Sequence, residues 1–155
     1  MRKIYLFLLL SAGLVKASSV IYVSSYLDVE NSNIVNKSSI IVDGNRITAI
    51  KKGFVELEKD DVLYDLRNLF VMPGLMDMHV HLGQEYQSKA ERPIKVERET
   101  EAILATAHAA KTLKAGFTTV RQVGDSGFVS ISLRDAIAAN HVIGPRIFTS
   151  GKSIA

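Results

Sequence analysis

Residues 72–82, Met-Pro-Gly-Leu-Met-Asp-Met-His-Val-His-Leu, constrain this chain more than any other stretch. Read with a period of two, they split into unlike faces: Asp77, His79 and His81 on one side, Met76, Met78, Val80 and Leu82 on the other. On a strand, residues i and i+2 project the same way, so the two imidazoles start about 6–7 Å apart at the backbone and can converge on one ion. On a helix they would lie about 200° apart and could share no ligand. The pattern predicts a strand whose apolar face packs under helices and whose polar face opens into the mouth of a barrel. Pro73-Gly74 is a breaker pair that starts the strand. The competing account is a solvent-facing His-x-His on an ordinary edge strand, and the surrounding frame argues against it.

What flanks this strand divides the chain. Before it, residues 19–66 have a β texture: Val20-Ile21-Tyr22-Val23, Ser39-Ile40-Ile41-Val42, Arg46-Ile47-Thr48-Ala49-Ile50 and Val62-Leu63-Tyr64-Asp65-Leu66. Asp43-Gly44-Asn45 between the second and third is a strong hairpin signal. Residues 29–37 and 52–61 read as polar loops, and the whole as a small antiparallel unit. Such a unit has fewer than about 50 residues and buries too little apolar surface to stand comfortably alone.

After His81 comes a polar loop containing Glu85 and Tyr86, then a helix over about residues 93–115. Glu97, Glu99 and Glu101 near its start and Lys111 and Lys114 near its end suit the helix dipole. Ile103, Ala107 and Ala110, with Leu113 beside them, offer a small-residue face to lie on a sheet, and Gly116 ends the helix. Residues 117–123 form a second strand, residues 129–139 a second helix, and Arg146-Ile147-Phe148-Thr149 a third strand. Strand, helix, strand, helix, strand with short connections is a parallel βαβαβ unit. An open doubly wound nucleotide-binding sheet would want a glycine-rich first turn, and Gly83-Gln84-Glu85-Tyr86 lacks that pattern.

Pro73-Gly74-Leu75-Met76-Asp77-Met78-His79-Val80-His81 resembles the first barrel strand of the amidohydrolase superfamily of metal-dependent hydrolases. The resemblance runs from about Val20 to the last residue and is greatest to the prolidase-like and imidazolonepropionase-like branch. Residues 115–121 and 133–146 carry it further, with one departure: Gln122 stands where relatives usually have Asp, which puts any polar role there in doubt.

The resemblance implies an α/β fold: a small N-terminal β-sandwich portion over residues 18–71, then the first three strands of a (β/α)8 TIM-type barrel, truncated, over residues 72–155. The family's sandwich is completed by strands arriving after the barrel. The activity implied is hydrolysis of amide-type C–N bonds, for example in a dipeptide, with a small molecule as substrate. His79 and His81 would bind a divalent metal, Zn²⁺ first among the candidates, with one or two ions in the complete enzyme. The family's bridging carboxylated lysine, two further histidines and catalytic aspartate come from later strands. Lys152 lies one strand too early to be that lysine, so the chain is read as the N-terminal portion of a longer enzyme, inactive alone. A non-catalytic remnant with weak metal binding, or a complementing subunit, is the alternative.

Other polar residues take lesser roles. Asp77, one layer deeper than His79, is placed to accept a hydrogen bond from an imidazole and orient it, or to pair elsewhere as a buried carboxylate. His108 lies mid-helix and His141 at the opposite end of the barrel, both as solvated or capping residues. Arg121, Asp125 and Ser150 lie near the C-terminal strand ends, the face on which a site would open, and barrel-internal ion pairs explain them equally well.

Charge and the N-terminus complete the reading. The net charge of +3 rests on Arg2, Lys3 and Lys16; without them the 19 basic residues fall into balance with the 16 acidic ones. The charge therefore points to no nucleic-acid or anionic-membrane partner. Arg2-Lys3, the apolar run from Ile4 to Val15 and Val15-Lys16-Ala17 predict a cleavable signal peptide over residues 1–17 and export to the periplasm or beyond. That run is shorter than the ~20 residues of a membrane-spanning helix, so no stable membrane anchor is expected. The absence of cysteine excludes a lipid-modified cysteine and any disulfide.

Overall fold

A computed structural model describes residues 17–84, 97–125 and 127–152. The expected signal peptide up to Lys16, the expected loop with Glu85 and Tyr86 and the first residues of the expected long helix lie outside them. The chain divides into two compact units, Met1–Pro73 and Gly74–Ala155.

The first unit is a four-stranded sheet built from β1 (Ser19–Asp28), β2 (Asn33–Asp43), β3 (Arg46–Lys52) and β4 (Val62–Val71), in the order β3-β2-β1-β4. The hairpin expected at Asp43-Gly44-Asn45 is present: Asp43 pairs with Arg46, and Gly44 takes the positive φ of 60° that the tight turn requires. The unit is not wholly antiparallel. β4 runs parallel to β1, with Ser19 opposite Val62. A parallel partner needs a crossover rather than a hairpin, and residues 53–61 provide it. That crossover is tied where it enters β4, because Val62 donates to the Ser18 carbonyl at 2.9 Å and Ser18 donates to the Asp61 carboxylate at 3.1 Å.

The stretch expected as a loop over residues 29–37 is shorter, since β1 continues to Asp28 and β2 begins at Asn33. Asp28 bridges the turn by accepting from the main-chain and side-chain nitrogens of Asn31. Val20, Val23 and Ile40 are buried in the sheet, and the Tyr22 ring lies 5.0 Å from that of Phe54. Among the described residues this unit is one four-stranded sheet.

The second unit follows the βαβαβ order: β5 (Leu75–Val80), α1 (Arg98–Lys114), β6 (Phe117–Gln122), α2 (Val129–Ala138) and β7 (Arg146–Thr149). The three strands are parallel in the order β5-β6-β7. Leu82, Ala105, Ala109, Val120, Val129, Leu133 and Ile147 form the core between helices and sheet. The apolar face of α1 differs from the expected one. Ala105 and Ala109 are buried, with Ala102 packed against the core, while Ile103 is 70% exposed. Positions 101, 105 and 109 are spaced i, i+4, i+8, and two alanines there let the helix lie close to the strands. Gly116, at φ 94°, ends α1 as expected and turns the chain into β6.

Candidate metal centre

Strand β5 starts where Gly74 passes close to β6. A Cβ at Gly74 would lie 2.2 Å from the Thr118 side chain, so only glycine fits. Leu75 then donates to the Gly116 carbonyl at 2.9 Å, which joins β5 to the start of β6.

The expected alternation does not run unbroken from Met76 to Leu82. Asp77 pairs with Val120 and Val80 pairs with Gln122, so three steps along β5 match two along β6. One extra residue is accommodated at Met78–His79, which is a β-bulge. Beyond it, Val80 and Leu82 join the helix-covered core, and His79 and His81 are exposed on the other face. Before it, Met76 is opposite Thr119 and is 67% exposed, while Met78 is 53% exposed. Neither methionine packs under the helices as the alternation implied, because the bulge resets the parity between them and Val80.

Asp77 has a different partner from the expected one. Its carboxylate accepts the main-chain N–H of His79 at 3.0 Å rather than an imidazole proton. The carbonyl of Met78 accepts from Nε of Arg121 at 2.7 Å. Arg121 is therefore bound to the main chain of β5, and not in the ion pair that was one of its two readings.

The His79 and His81 rings are 5.5 Å apart between centroids and inclined at 67°. Nδ1 of His81 lies 3.0 Å from the Gly124 carbonyl oxygen. A carbonyl can only accept, so Nδ1 carries a proton, which in the neutral ring leaves the Nε2 lone pair for a ligand role. The next residue is held on both sides: the Leu82 N–H donates to Oε1 of Gln122 at 2.8 Å, and the Leu82 carbonyl accepts from Nδ1 of His108 at 2.8 Å. Gln122, only 1% exposed, donates in turn from Nε2 to the Gly124 carbonyl at 3.0 Å.

Two residues thus do more than the sequence reading allowed. Gln122 has a definite polar task, and an aspartate could accept from Leu82 but could not also donate to Gly124. His108 is a tie between α1 and the end of β5, and its only sequence signal is its place beside the Ala105–Ala109 stripe. His141 is exposed, as expected for a solvated residue.

Asp125 is held by hydrogen bonds, and not by the ion pair that was one of its two readings. Its Oδ1 accepts from Gly127 at 3.1 Å and Phe128 at 2.6 Å, and its Oδ2 accepts from Ser130 N–H at 2.8 Å and from the Ser130 hydroxyl. Burial pushes this carboxyl up, but the hydrogen bonds from Ser130, Gly127 and Phe128 outweigh it and hold the group below the ordinary aspartate value. Asp125 anchors the start of α2. Lys152 lies 5.0 Å from the Phe128 ring, a cation–π contact, and Ser150 is exposed, its main-chain N–H on the Gln122 carbonyl at 3.2 Å.

His79 and His81 have the right chemistry for a divalent ion: two imidazoles on one open face, one with its Nδ1 held by a main-chain carbonyl. Among the described residues no third histidine, cysteine or carboxylate joins them in a cluster that could hold a metal. They therefore fit as an incomplete ligand set, the share of donors that a single strand can supply.

A solved Xaa-Pro dipeptidase with methionine in its active site is 57% identical, with a TM-score of 0.85 over 90% of this chain and 34% of its own. A solved prolidase complexed with N-methylphosphonate-L-proline is 31% identical, with a TM-score of 0.73 over 88% of this chain and 32% of its own. The dihydroorotase of Pediococcus pentosaceus is 32% identical over 92 residues, 59% of this chain and 18% of that protein. The chain thus spans about a third of these solved structures and less than a fifth of the curated relative. The amidohydrolase family model matches residues 70–155, more than half of the chain, and the chain belongs to the amidohydrolase family.

Proposed function

We propose that this chain carries the first metal-binding strand of a hydrolase of amide-type C–N bonds that acts on dipeptides. The observation that carries the reading is the His79–His81 pair on the open face of β5, with His81 held through Nδ1 by the Gly124 carbonyl. The 57% identity to a Xaa-Pro dipeptidase supports the substrate class, a small molecule with one peptide bond. Members of the family generally use divalent metals, and Zn²⁺ suits imidazole nitrogen donors.

A divalent ion at such a site would supply Lewis acidity, lowering the pKa of a water towards neutrality and polarising a scissile carbonyl. The residues of this chain do the positioning. His79 and His81 present nitrogen donors on one face, Gly124 sets the tautomer of His81, and Gln122 and His108 fix the main chain at Leu82 beside it. A hydrolytic zinc site commonly has three protein ligands and one open position, so the set is completed by donors outside the described residues.

The reading is tested with the complete natural polypeptide that carries residues 1–155, assayed on a dipeptide panel after metal removal and after return of Zn²⁺ or Mn²⁺. Metal-dependent cleavage, strongest for dipeptides, is expected. Equal rates in stripped and reloaded protein would contradict the reading.

A second reading is favoured by the exposure of Met76, Met78 and Phe148: the chain supplies strands to a site that another polypeptide completes. Restoration of activity only on mixing with a second chain would favour it.

A further inference from the structure

We propose that Asp77 and Arg121 are positioning residues that clamp one peptide group, Met78–His79, and so decide which face of β5 carries the two histidines. The inference rests on the reading of His79 and His81 as metal ligands.

The carbonyl of Met78 and the N–H of His79 belong to the same peptide unit. Its oxygen accepts from Nε of Arg121 at 2.7 Å, and its N–H donates to Oδ1 of Asp77 at 3.0 Å. That unit lies where the β5–β6 register slips, between the Asp77–Val120 and Val80–Gln122 pairs. A peptide group taken out of a ladder leaves a donor and an acceptor that need other partners. Here both partners are charged side chains, which make stronger hydrogen bonds than neutral ones. One comes from β5 itself and the other from the neighbouring strand, so the clamp also ties the two strands at the bulge.

The consequence follows from strand geometry. Because the side-chain period is two, a one-residue change of register moves every following side chain to the opposite face. With the bulge in place, Val80 and Leu82 enter the helix-covered core and His79 and His81 reach the open face. An earlier, opposite shift between Leu75–Phe117 and Met76–Thr119 sets the register of the Asp77–Val120 pair; without the bulge that register would carry on and set the imidazoles against the apolar core. Arg121 is well placed for the task. Its neighbours Val120 and Gln122 are buried on the helix side, so Arg121 projects to the open face, where Met78 is also exposed.

The test uses the complete natural polypeptide that carries residues 1–155, as wild type and as Arg121→Ala, Asp77→Ala, Arg121→Lys, Asp77→Asn and His79→Ala. Two quantities are measured: Zn²⁺ affinity by competition with a chromophoric chelator, and hydrogen exchange of the His79 amide in metal-free protein. Both alanine variants at 77 and 121 are expected to lose about 10–100-fold in Zn²⁺ affinity, the usual cost of removing a group that orients a ligand. Exchange at His79 should quicken in both. Asp77→Asn keeps a neutral acceptor and Arg121→Lys keeps a cationic donor, so their affinities should fall between the wild-type and alanine values.

Wild-type affinity and exchange in both alanine variants, with affinity lost in His79→Ala, would overturn the clamp and leave the metal reading intact. Wild-type affinity in His79→Ala would instead remove the metal reading. His79 exchange would then judge the clamp alone, quickened exchange supporting it and unchanged exchange overturning it. If the alanine variants do not fold, the same exchange measurement on Asp77→Asn and Arg121→Lys decides in the same way.

Discussion

Gln122 and His81 meet at one atom. The side-chain N–H of Gln122 and the imidazole Nδ1–H of His81 both point to the Gly124 carbonyl oxygen, each at 3.0 Å. Gln122 also accepts the Leu82 N–H at 2.8 Å, so one buried amide ties the ends of β5 and β6 beside the histidine pair.

The first prediction concerns that amide. Gln122→Leu removes both of its hydrogen bonds and leaves the buried Leu82 N–H without its acceptor. Leaving a buried polar group unsatisfied costs about 1–3 kcal/mol, and urea denaturation should show a loss of that size. Gln122→Glu keeps the acceptor for Leu82 but opposes two oxygens at Gly124, so it too should be less stable than wild type at neutral pH. A wild-type midpoint in both variants would remove the tie.

Asp125 gives a pH dependence whose sign is fixed. Its carboxyl is held below the ordinary aspartate value in the folded chain, so the unfolded chain binds a proton more readily. The stabilisation is present in full above the unfolded pKa, about 3.9, and is lost as pH falls through the lower folded value. Asp125→Ala should cost about 1–2 kcal/mol at neutral pH, as loss of a helix-start acceptor does. It should also flatten the acid limb of the stability curve, measured by denaturation from neutral to strongly acid pH. An acid limb unchanged from wild type would contradict the role assigned to Asp125.

Gly74 is predicted to be irreplaceable for a reason of space. Gly74→Ala puts a Cβ onto the Thr118 side chain, and overpacking of this kind costs about 1–3 kcal/mol. Thr118→Ala in the same chain removes the obstructing atoms and should recover most of the loss. Equal thermal midpoints for the single and double variants would show that the contact is not the cause.

These residues also mark what was legible in the sequence. The βαβαβ order, the Asp43-Gly44-Asn45 hairpin and the third strand at Arg146–Thr149 follow from local patterning and turn chemistry. Pro73-Gly74 was legible as a strand entry, but the approach of Thr118 was not, because Thr118 reaches Gly74 from a strand far along the chain. The bulge at Met78–His79 was hidden for a like reason. Only the register against β6 shows the extra residue, together with the opposite shift between Leu75 and Met76. The parallel placement of β4 was hidden too, since a polar run such as residues 53–61 reads the same as a loop or a crossover. Gln122 and His108 have ordinary sequence contexts, and their tasks exist only once β5, β6 and α1 are together.

The N-terminal segment carries a prediction of its own. The charged start, apolar run and Val15-Lys16-Ala17 predict cleavage after Ala17 on export. Intact-mass measurement of material recovered outside the cytoplasm should give a chain beginning at Ser18. A mass that includes Met1 in that material would contradict it.

The central claim is that His79 and His81 hold a metal ion. The most direct measurement is the metal content of the purified complete polypeptide as wild type, His79→Ala, His81→Ala and His108→Ala, by elemental analysis after dialysis against trace Zn²⁺. The account predicts that His79→Ala and His81→Ala lose the ion, because a strand that supplies two ligands is left with one. His108→Ala keeps it, because that imidazole is bound to the Leu82 carbonyl. Full occupancy in His79→Ala or His81→Ala would contradict the account.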